Sequence, residues 1–468
     1  MTRKNKVRRT ELPVREGASY ECEVVGLTHD GAGVAQFEGY TLFVAGALPN
    51  ERVRLRVTKA KKSYGFAALQ EVVRPSSERV LPPCSIFERC GGCQLQHLDY
   101  AAQLQWKRQT VVDSLARIGK LSEVQAEAYA IHGTIGMDEP WRYRNKVQVP
   151  VASRSARVIA GFYARGTHDV IDMETCHIQH EWADQVVAVV KQVAERLGIA
   201  AYDEQTHSGC LRQVMVRVGF SSGQLMVVLV TNGRELPKAE ALVAEIREQL
   251  PQTVSILQNI NNERSNVILG KVTNLLWGEE VIVDAIGDVQ FAISARSFYQ
   301  VNPVQTHVLY EKALAYAGLS GEETVIDAYC GIGTITLFLA RLAKRVYGVE
   351  VVEEAIVDAR RNAALNGIEN VEFEVGEAEH VMPAWRERGV NADVVVVDPP
   401  RKGCDERLLL TMAAMKPQRI VYVSCNPATL ARDVRVLVER GYRLVEVQPV
   451  DMFPQTTHVE CVALLERG

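Results

Sequence analysis

Glu323-Thr324-Val325-Ile326-Asp327 runs into Ala328-Tyr329-Cys330-Gly331-Ile332-Gly333, and from there into the apolar periodic stretch Thr334 to Ala343. The three pieces read as a buried strand, a glycine turn and a helix. Such a turn sets a helix N-terminus and bare backbone against a ligand, because glycine puts no Cβ in the way. A second strand, Arg345-Val346-Tyr347-Gly348-Val349-Glu350, ends in an acid 23 residues after Asp327, the offset at which a carboxylate accepts hydrogen bonds from ribose hydroxyls. Together they predict an open α/β sheet with a site for a nucleoside-bearing cofactor. The turn departs from the dinucleotide Gly-x-Gly-x-x-Gly form, which favours S-adenosylmethionine over NAD.

The pattern continues on the C-terminal side. Glu353 to Asn366 reads as a helix closed by Gly367, and Val371 to Val375 as a third strand. Asp393 to Asp398 is a fourth, turning at Pro399-Pro400-Arg401, and Arg419 to Val423 a fifth, leading into Ser424-Cys425-Asn426-Pro427. Asn426-Pro427 holds the chain extended and can open the next helix, so Cys425 falls at the sheet edge where such folds place their chemistry. A lone cysteine is more often a small buried apolar residue; the carboxylates and the glycine turn expected at the same edge argue for a reactive one.

Composition sets the frame. An apolar content of 47% and a charged content of 24% are those of an ordinary globular protein, and no run approaches a membrane span. The basic start Met1-Thr2-Arg3-Lys4-Asn5-Lys6 is followed by no apolar h-region, so a cytoplasmic protein is expected. Net charge is −4, yet the first 80 residues carry an excess of Lys and Arg and the remainder an excess of acids. That asymmetry fits either a nucleic-acid-facing end or a solvated basic tail.

Residues 1–15 read as a flexible basic arm. Residues 16–75 hold five short strands with glycine-bearing turns, the pattern of a small closed barrel. Arg52, Arg54 and Arg56 alternate on one face, and Tyr64 and Phe66 beside Lys59-Ala60-Lys61-Lys62 could stack on bases or simply fill the barrel rim. Residues 76–300 form a central α+β domain. It opens with Cys84, Cys90 and Cys93 in a Cys-x5-Cys-x2-Cys cluster around Gly91-Gly92, with Cys176 as the candidate fourth thiol. A three-plus-one set is more like an iron-sulfur site than the paired Cys-x2-Cys knuckles usual for zinc. Trp141-Arg142-Tyr143-Arg144-Asn145-Lys146 alternates aromatic and basic residues, as an RNA-facing strand or a solvated one would. Residues 301–468 form the doubly wound α/β domain.

The barrel resembles a TRAM domain, an OB-like RNA-binding module. Ser297-Phe298-Tyr299-Gln300-Val301-Asn302, the Asp327 turn, Asp398-Pro399-Pro400-Arg401, Ser424-Cys425-Asn426-Pro427 and Asp451 to Glu460 (with Thr457-His458-Val459-Glu460) resemble the RNA uracil-5 methyltransferases. With the barrel and the four cysteines the resemblance covers most of the chain and points to the 23S ribosomal RNA branch, since the tRNA-modifying branch usually lacks both. It implies a Rossmann-like methyltransferase domain with Cys425 as nucleophile and Glu460 as base. It also implies Gln300, Tyr329, Thr334, Glu350, Glu377 and Asp398 around S-adenosylmethionine, Glu379 being the alternative to Glu377, and Cys84, Cys90, Cys93 and Cys176 around a [4Fe-4S] cluster. Arg401 stands where adenine-N6 methyltransferases carry an aromatic, which argues against that chemistry. The expected activity is methylation of carbon 5 of a uridine in 23S ribosomal RNA by a monomer with no obligate protein partner. The same reaction on tRNA, or a non-catalytic role in RNA binding or ribosome assembly, are the alternatives.

Overall fold

Arg52–Ala60 buries every second side chain, Val53, Leu55 and Val57, and turns the arginines between them outwards. This alternation, repeated along β1 (Ser19–Leu27), β2 (Ala32–Phe37), β3 (Tyr40–Ala45), β4 (Arg52–Ala60) and β5 (Tyr64–Arg74), closes a barrel in the order β1-β2-β3-β5-β4. Closure leaves no unpaired edge. Val24, Ala35, Leu42, Val44, Val53, Leu55 and Val57 fill the inside. Gly33 is needed where β2 passes Ala47, because a Cβ there would come within 2.8 Å of the Ala47 carbonyl oxygen.

The computed structural model describes residues 12–155 and 157–468. Of the arm expected over 1–15, residues 1–11 lie outside the described residues, whereas Val14 is buried in the barrel core. The chain divides into two units: residues up to Glu88 with Gly92–Gln103 and Gln455–Thr457, and Arg89–Gly91 with Leu104–Pro454 and His458–Gly468. The barrel belongs to the first.

The second unit contains two large sheets. A 7-stranded sheet runs in the order 272–278, 253–260, 225–231, 211–218, 146–154, 157–163, 170–172. Helices Glu181–Leu197 and Ala239–Gln249 cover one of its faces with Val186, Val190, Val193, Leu242 and Ile246. An 8-stranded sheet runs in the order 371–375, 345–350, 324–327, 394–397, 419–424, 460–467, 442–450, 130–131. Its first five strands are parallel and 460–467 runs against them. Helices Pro303–Ala317, Thr334–Ala340 and Glu353–Leu365 pack on one face, and Ala378–Glu387, Glu406–Met415 and Pro427–Val438 on the other. With both faces covered, the central strands are apolar throughout; Val394–Val397 are all buried. This is a doubly wound α/β fold. Ala130–Ile131, from far upstream, adds a parallel edge strand beside 442–450. Among the described residues no helix is long and apolar enough to cross a membrane.

One buried ion pair fixes the segment that leads into Glu460. Lys107 Nζ lies 2.5 Å from Asp451 Oδ1 with both side chains fully buried, and it also donates to the Phe453 carbonyl oxygen at 3.0 Å. Removing one partner leaves the other charged and desolvated, so Lys107→Met is expected to destabilise the protein by about 3–5 kcal/mol. Urea unfolding checks this, and pairing it with Asp451→Asn should recover most of the loss.

Candidate active site

Asp327 ends its strand fully buried. One carboxylate oxygen accepts the Thr336 hydroxyl at 2.6 Å and the other the Tyr329 N–H at 3.3 Å, which locks the start of the turn. Gly331 and Gly333 take φ of 53° and 87°, a region that side chains with a Cβ rarely adopt. The space over Gly331 is open, with nothing within 4 Å of where a Cβ would stand. Glu350 aims at the same turn, accepting from Gly331 N at 3.3 Å and from Val352 N at 3.0 Å. Each carboxylate oxygen keeps a further lone pair for a diol. Thr334 is fixed by the buried Tyr310, whose hydroxyl donates to it at 3.0 Å, and Gln300 is held by Asn145 through its carbonyl oxygen at 2.9 Å. An open glycine turn, an oriented carboxylate and a helix start suit a nucleoside cofactor.

The next two strands along the sheet bring the chemistry. Ser424 pairs with Cys461 across the ladder, so Cys425 and Glu460 are the next residues outwards on neighbouring strands. Asn426 caps the helix Pro427–Val438 by accepting from Ala428 N at 3.0 Å, which stops the strand at Cys425. Burial pushes the Cys425 thiol up to about 12, with Glu460 and Asp398 adding to the rise and Arg401 opposing it. Burial also raises the carboxyl of Glu460, to about 8, with Asp398 adding its repulsion and Arg401 opposing. Asp398 is likewise raised, by burial first and by Asp327 second. These mutual effects place Asp327, Asp398, Cys425, Glu460 and Arg401 in one electrostatic neighbourhood.

Several contacts of the site carry no sequence signal of their own. Arg401 Nη2 lies 3.3 Å from His458 Nε2, while the Arg401 carbonyl oxygen accepts from Asn426 Nδ2 at 3.1 Å. Burial, with Arg401, Lys107 and Arg144 nearby, lowers His458 to about 4, so the imidazole is neutral at pH 7 and can accept from the guanidinium. Asn302 Nδ2 donates to the Met452 carbonyl oxygen and Gln305 Nε2 to that of Asp451, both at 3.1 Å. Such long-range backbone clamps can be recognised only once the fold is known.

Other expected positions stand apart. The Glu377 side chain is exposed and pairs with His380 at 2.9 Å, whereas Glu379 is half-buried and close enough to act on the Tyr329 hydroxyl. Cys84 and Cys93 belong to the first unit, Cys90 and Cys176 to the second. Burial, with Cys90 contributing, pushes the Cys176 thiol up to about 11. Among the described residues no three His, Cys, Asp or Glu side chains are grouped to hold a metal ion. A protonated thiol has little cause to close on another until a metal displaces its proton.

The comparisons agree with this geometry. Residues 211–468 match the family model for tRNA (uracil-5-)-methyltransferase, and residues 13–69 the TRAM domain. An uncharacterised RNA methyltransferase of Halalkalibacterium halodurans is 58% identical over 97% of this chain and 98% of its own length. One from Listeria monocytogenes is 52% identical over the same shares. The crystal structure of Pyrococcus abyssi tRNA (uracil-54, C5)-methyltransferase in complex with S-adenosyl-L-homocysteine matches at 29% identity and a TM-score of 0.75, covering 95% of this chain and 100% of that one. Fold and site thus define an RNA methyltransferase joined to a TRAM barrel. More narrowly, the chain belongs to the uracil-5 RNA methyltransferase family.

A raised carboxyl pKa has a signed consequence. Between the usual 4.5 and about 8 the folded chain keeps a proton on Glu460 that the unfolded chain has lost, so this group's stabilising contribution is greatest below 4.5 and declines as pH rises. Glu460→Gln is therefore expected to gain thermal stability over the native protein as pH goes from 5 to 8. Melting curves of the two proteins across that range should diverge with increasing pH.

Proposed function

We propose that this protein transfers a methyl group from S-adenosylmethionine to carbon 5 of a uridine in 23S ribosomal RNA, through a covalent bond between Cys425 and carbon 6. The observation that carries the reading is the convergence of Cys425 and Glu460 on the sheet edge that also holds Asp327 and Asp398. The P. abyssi structure, a complex with S-adenosyl-L-homocysteine, supports the cofactor. Asp327, Tyr329, Thr334, Glu350, Gln300 and Asp398 would hold it, with Glu379 a better placed acid than Glu377.

Uracil carbon 5 is a poor nucleophile. Addition of the Cys425 sulfur to carbon 6 opens the 5,6 double bond and moves its electrons onto carbon 5 and oxygen 4 as an enolate. S-adenosylmethionine, when bound, supplies the electrophilic methyl group that this carbon takes up. Carbon 5 then bears both a methyl and a proton, and Glu460 as carboxylate removes the proton. The electrons of that C–H bond restore the double bond and expel the sulfur. A thiol pushed up to about 12 is scarcely ionised at neutral pH, so its proton must leave in the substrate complex, where Arg401 is the nearby charge favouring thiolate. The target base must leave its stack, at lower cost in unpaired RNA.

We also propose that Cys84, Cys90, Cys93 and Cys176 hold a [4Fe-4S] cluster, on the strength of their number and spacing. Analysis of anaerobically purified protein should give about four iron and four sulfide per chain; zinc without sulfide would overturn this. A tRNA substrate is the second reading, favoured by the P. abyssi tRNA enzyme, which matches 95% of this chain, barrel region included. The barrel therefore does not separate the two substrates.

Incubation of 23S ribosomal RNA and of tRNA transcripts, each with methyl-labelled S-adenosylmethionine, decides between them; label in tRNA alone would overturn the ribosomal assignment. Cys425→Ala is expected to lower methylation by at least about a thousandfold. Glu460→Gln should form the methylated adduct and stall there, giving a protein-RNA band that survives denaturing gel electrophoresis. Full turnover by Cys425→Ala would refute the covalent route.

A further inference from the structure

On the barrel's predicted arginine face Arg52 and Arg54 are neutralised by acids of neighbouring strands, and Arg56 is exposed and, among the described residues, in no ion pair. Arg52 and Arg54 pair with Glu21, Arg54 also with Glu71, and Arg74 with Glu23. Such exposed pairs present little net charge to a polyanion. Among the described residues, Lys59, Lys61 and Lys62, at the turn between β4 and β5, are in no such ion pair. All three are exposed.

Beside these lysines the outer face of β3 and β5 carries three aromatic rings. The parallel ladder pairs Phe43 with Phe66, and Tyr64 stands opposite Thr41. Ring centroids lie 5.6 Å apart for Phe43 and Tyr64 and 5.8 Å for the other two pairs. Phe66 is 40% exposed, and none of the three belongs to the buried core that fills the barrel. Lys61 Nζ sits 5.0 Å from the Tyr64 ring centre and 5.6 Å from that of Phe66. The turn is held from inside: the buried Tyr40 hydroxyl donates to the Lys61 carbonyl oxygen at 2.6 Å and accepts from Lys61 N at 3.1 Å. Glu16, near the turn, accepts from Ala60 N at 2.8 Å.

We propose that Phe43, Tyr64 and Phe66, with Lys59, Lys61 and Lys62, form a stacking platform for unpaired bases of the RNA substrate. A rigid aromatic face open to solvent suits the π-face of a base, and the lysines reach the phosphates that flank it. A duplex would engage the lysines alone, because its base faces are covered. The inference deepens the RNA-modifying reading and rests on RNA being the substrate.

The test uses the full chain and a labelled short oligouridylate as probe. Tyr64→Ala/Phe66→Ala should weaken binding by about 10- to 100-fold with the salt dependence unchanged, since stacking contributes about 1–3 kcal/mol per base. Lys61→Ala should lower the salt slope by about 0.7, one phosphate contact to a single strand. Arg54→Ala should change neither, and Tyr64→Phe/Phe66→Tyr should bind as the native protein does. On an RNA that the native protein methylates, the double alanine variant should raise KM and leave kcat unchanged. Native-like oligouridylate binding by the double alanine variant, or an equal loss on an RNA duplex, would overturn the platform. Absence of any methylated RNA with the native protein would instead overturn the proposed reaction, while the oligouridylate result would still decide the platform.

Discussion

Three carboxyl groups crowded into one poorly solvated sheet edge set the terms for everything around them. Asp327, Asp398 and Glu460 come from three different strands, and each is raised above the ordinary carboxyl range chiefly by burial. Ionising all of them at once would leave several negative charges with little water to screen them. The fold supplies partial relief in specific places. Thr336 and the Tyr329 N–H solvate Asp327, and Arg401 lowers both Cys425 and Glu460. The result is an acid that can hold or release a proton near neutrality next to a thiol that stays protonated until something changes its surroundings.

Keeping this edge in place requires anchoring from far along the chain. Lys107 holds Asp451, Asn302 and Gln305 hold the backbone at 451–452, and the Tyr143 hydroxyl donates to the Pro454 carbonyl oxygen at 3.0 Å. These groups are buried polar side chains whose partners lie 146 to 344 residues away. They fix where the strand at 460 begins, and therefore where Glu460 stands relative to Cys425.

The parallel sheet was legible because strands covered on both faces read as unbroken apolar runs, and its ligand edge because glycines and acids fall at strand ends. Asp327, Glu350, Asp398 and Cys425 could be picked out on that basis alone. Glu460 could not, since a strand carboxylate looks like a surface one until the ladder sets it beside Cys425. The arginines of β4 show the reverse limit. Their alternation was readable, but the neutralisation of Arg52 and Arg54, and not of Arg56, depends on Glu21 and Glu71 arriving from other strands. Ala130–Ile131 was missed as part of the large sheet because two residues carry no periodicity. Glu377 stands at the N-cap of its helix and is exposed while Glu379, two residues on, is half-buried, a difference that spacing does not resolve.

Burial first, and the charge of Asp398 second, hold the Glu460 carboxyl above the ordinary glutamate range. The most direct measurement is a pH titration of glutamate side-chain carboxyl carbons by 13C NMR, comparing the native protein with Glu460→Gln. One resonance should titrate near neutrality or above and vanish in the variant. If every glutamate in the native protein titrates in the ordinary range around pH 4.3, the electrostatic picture of this site is wrong.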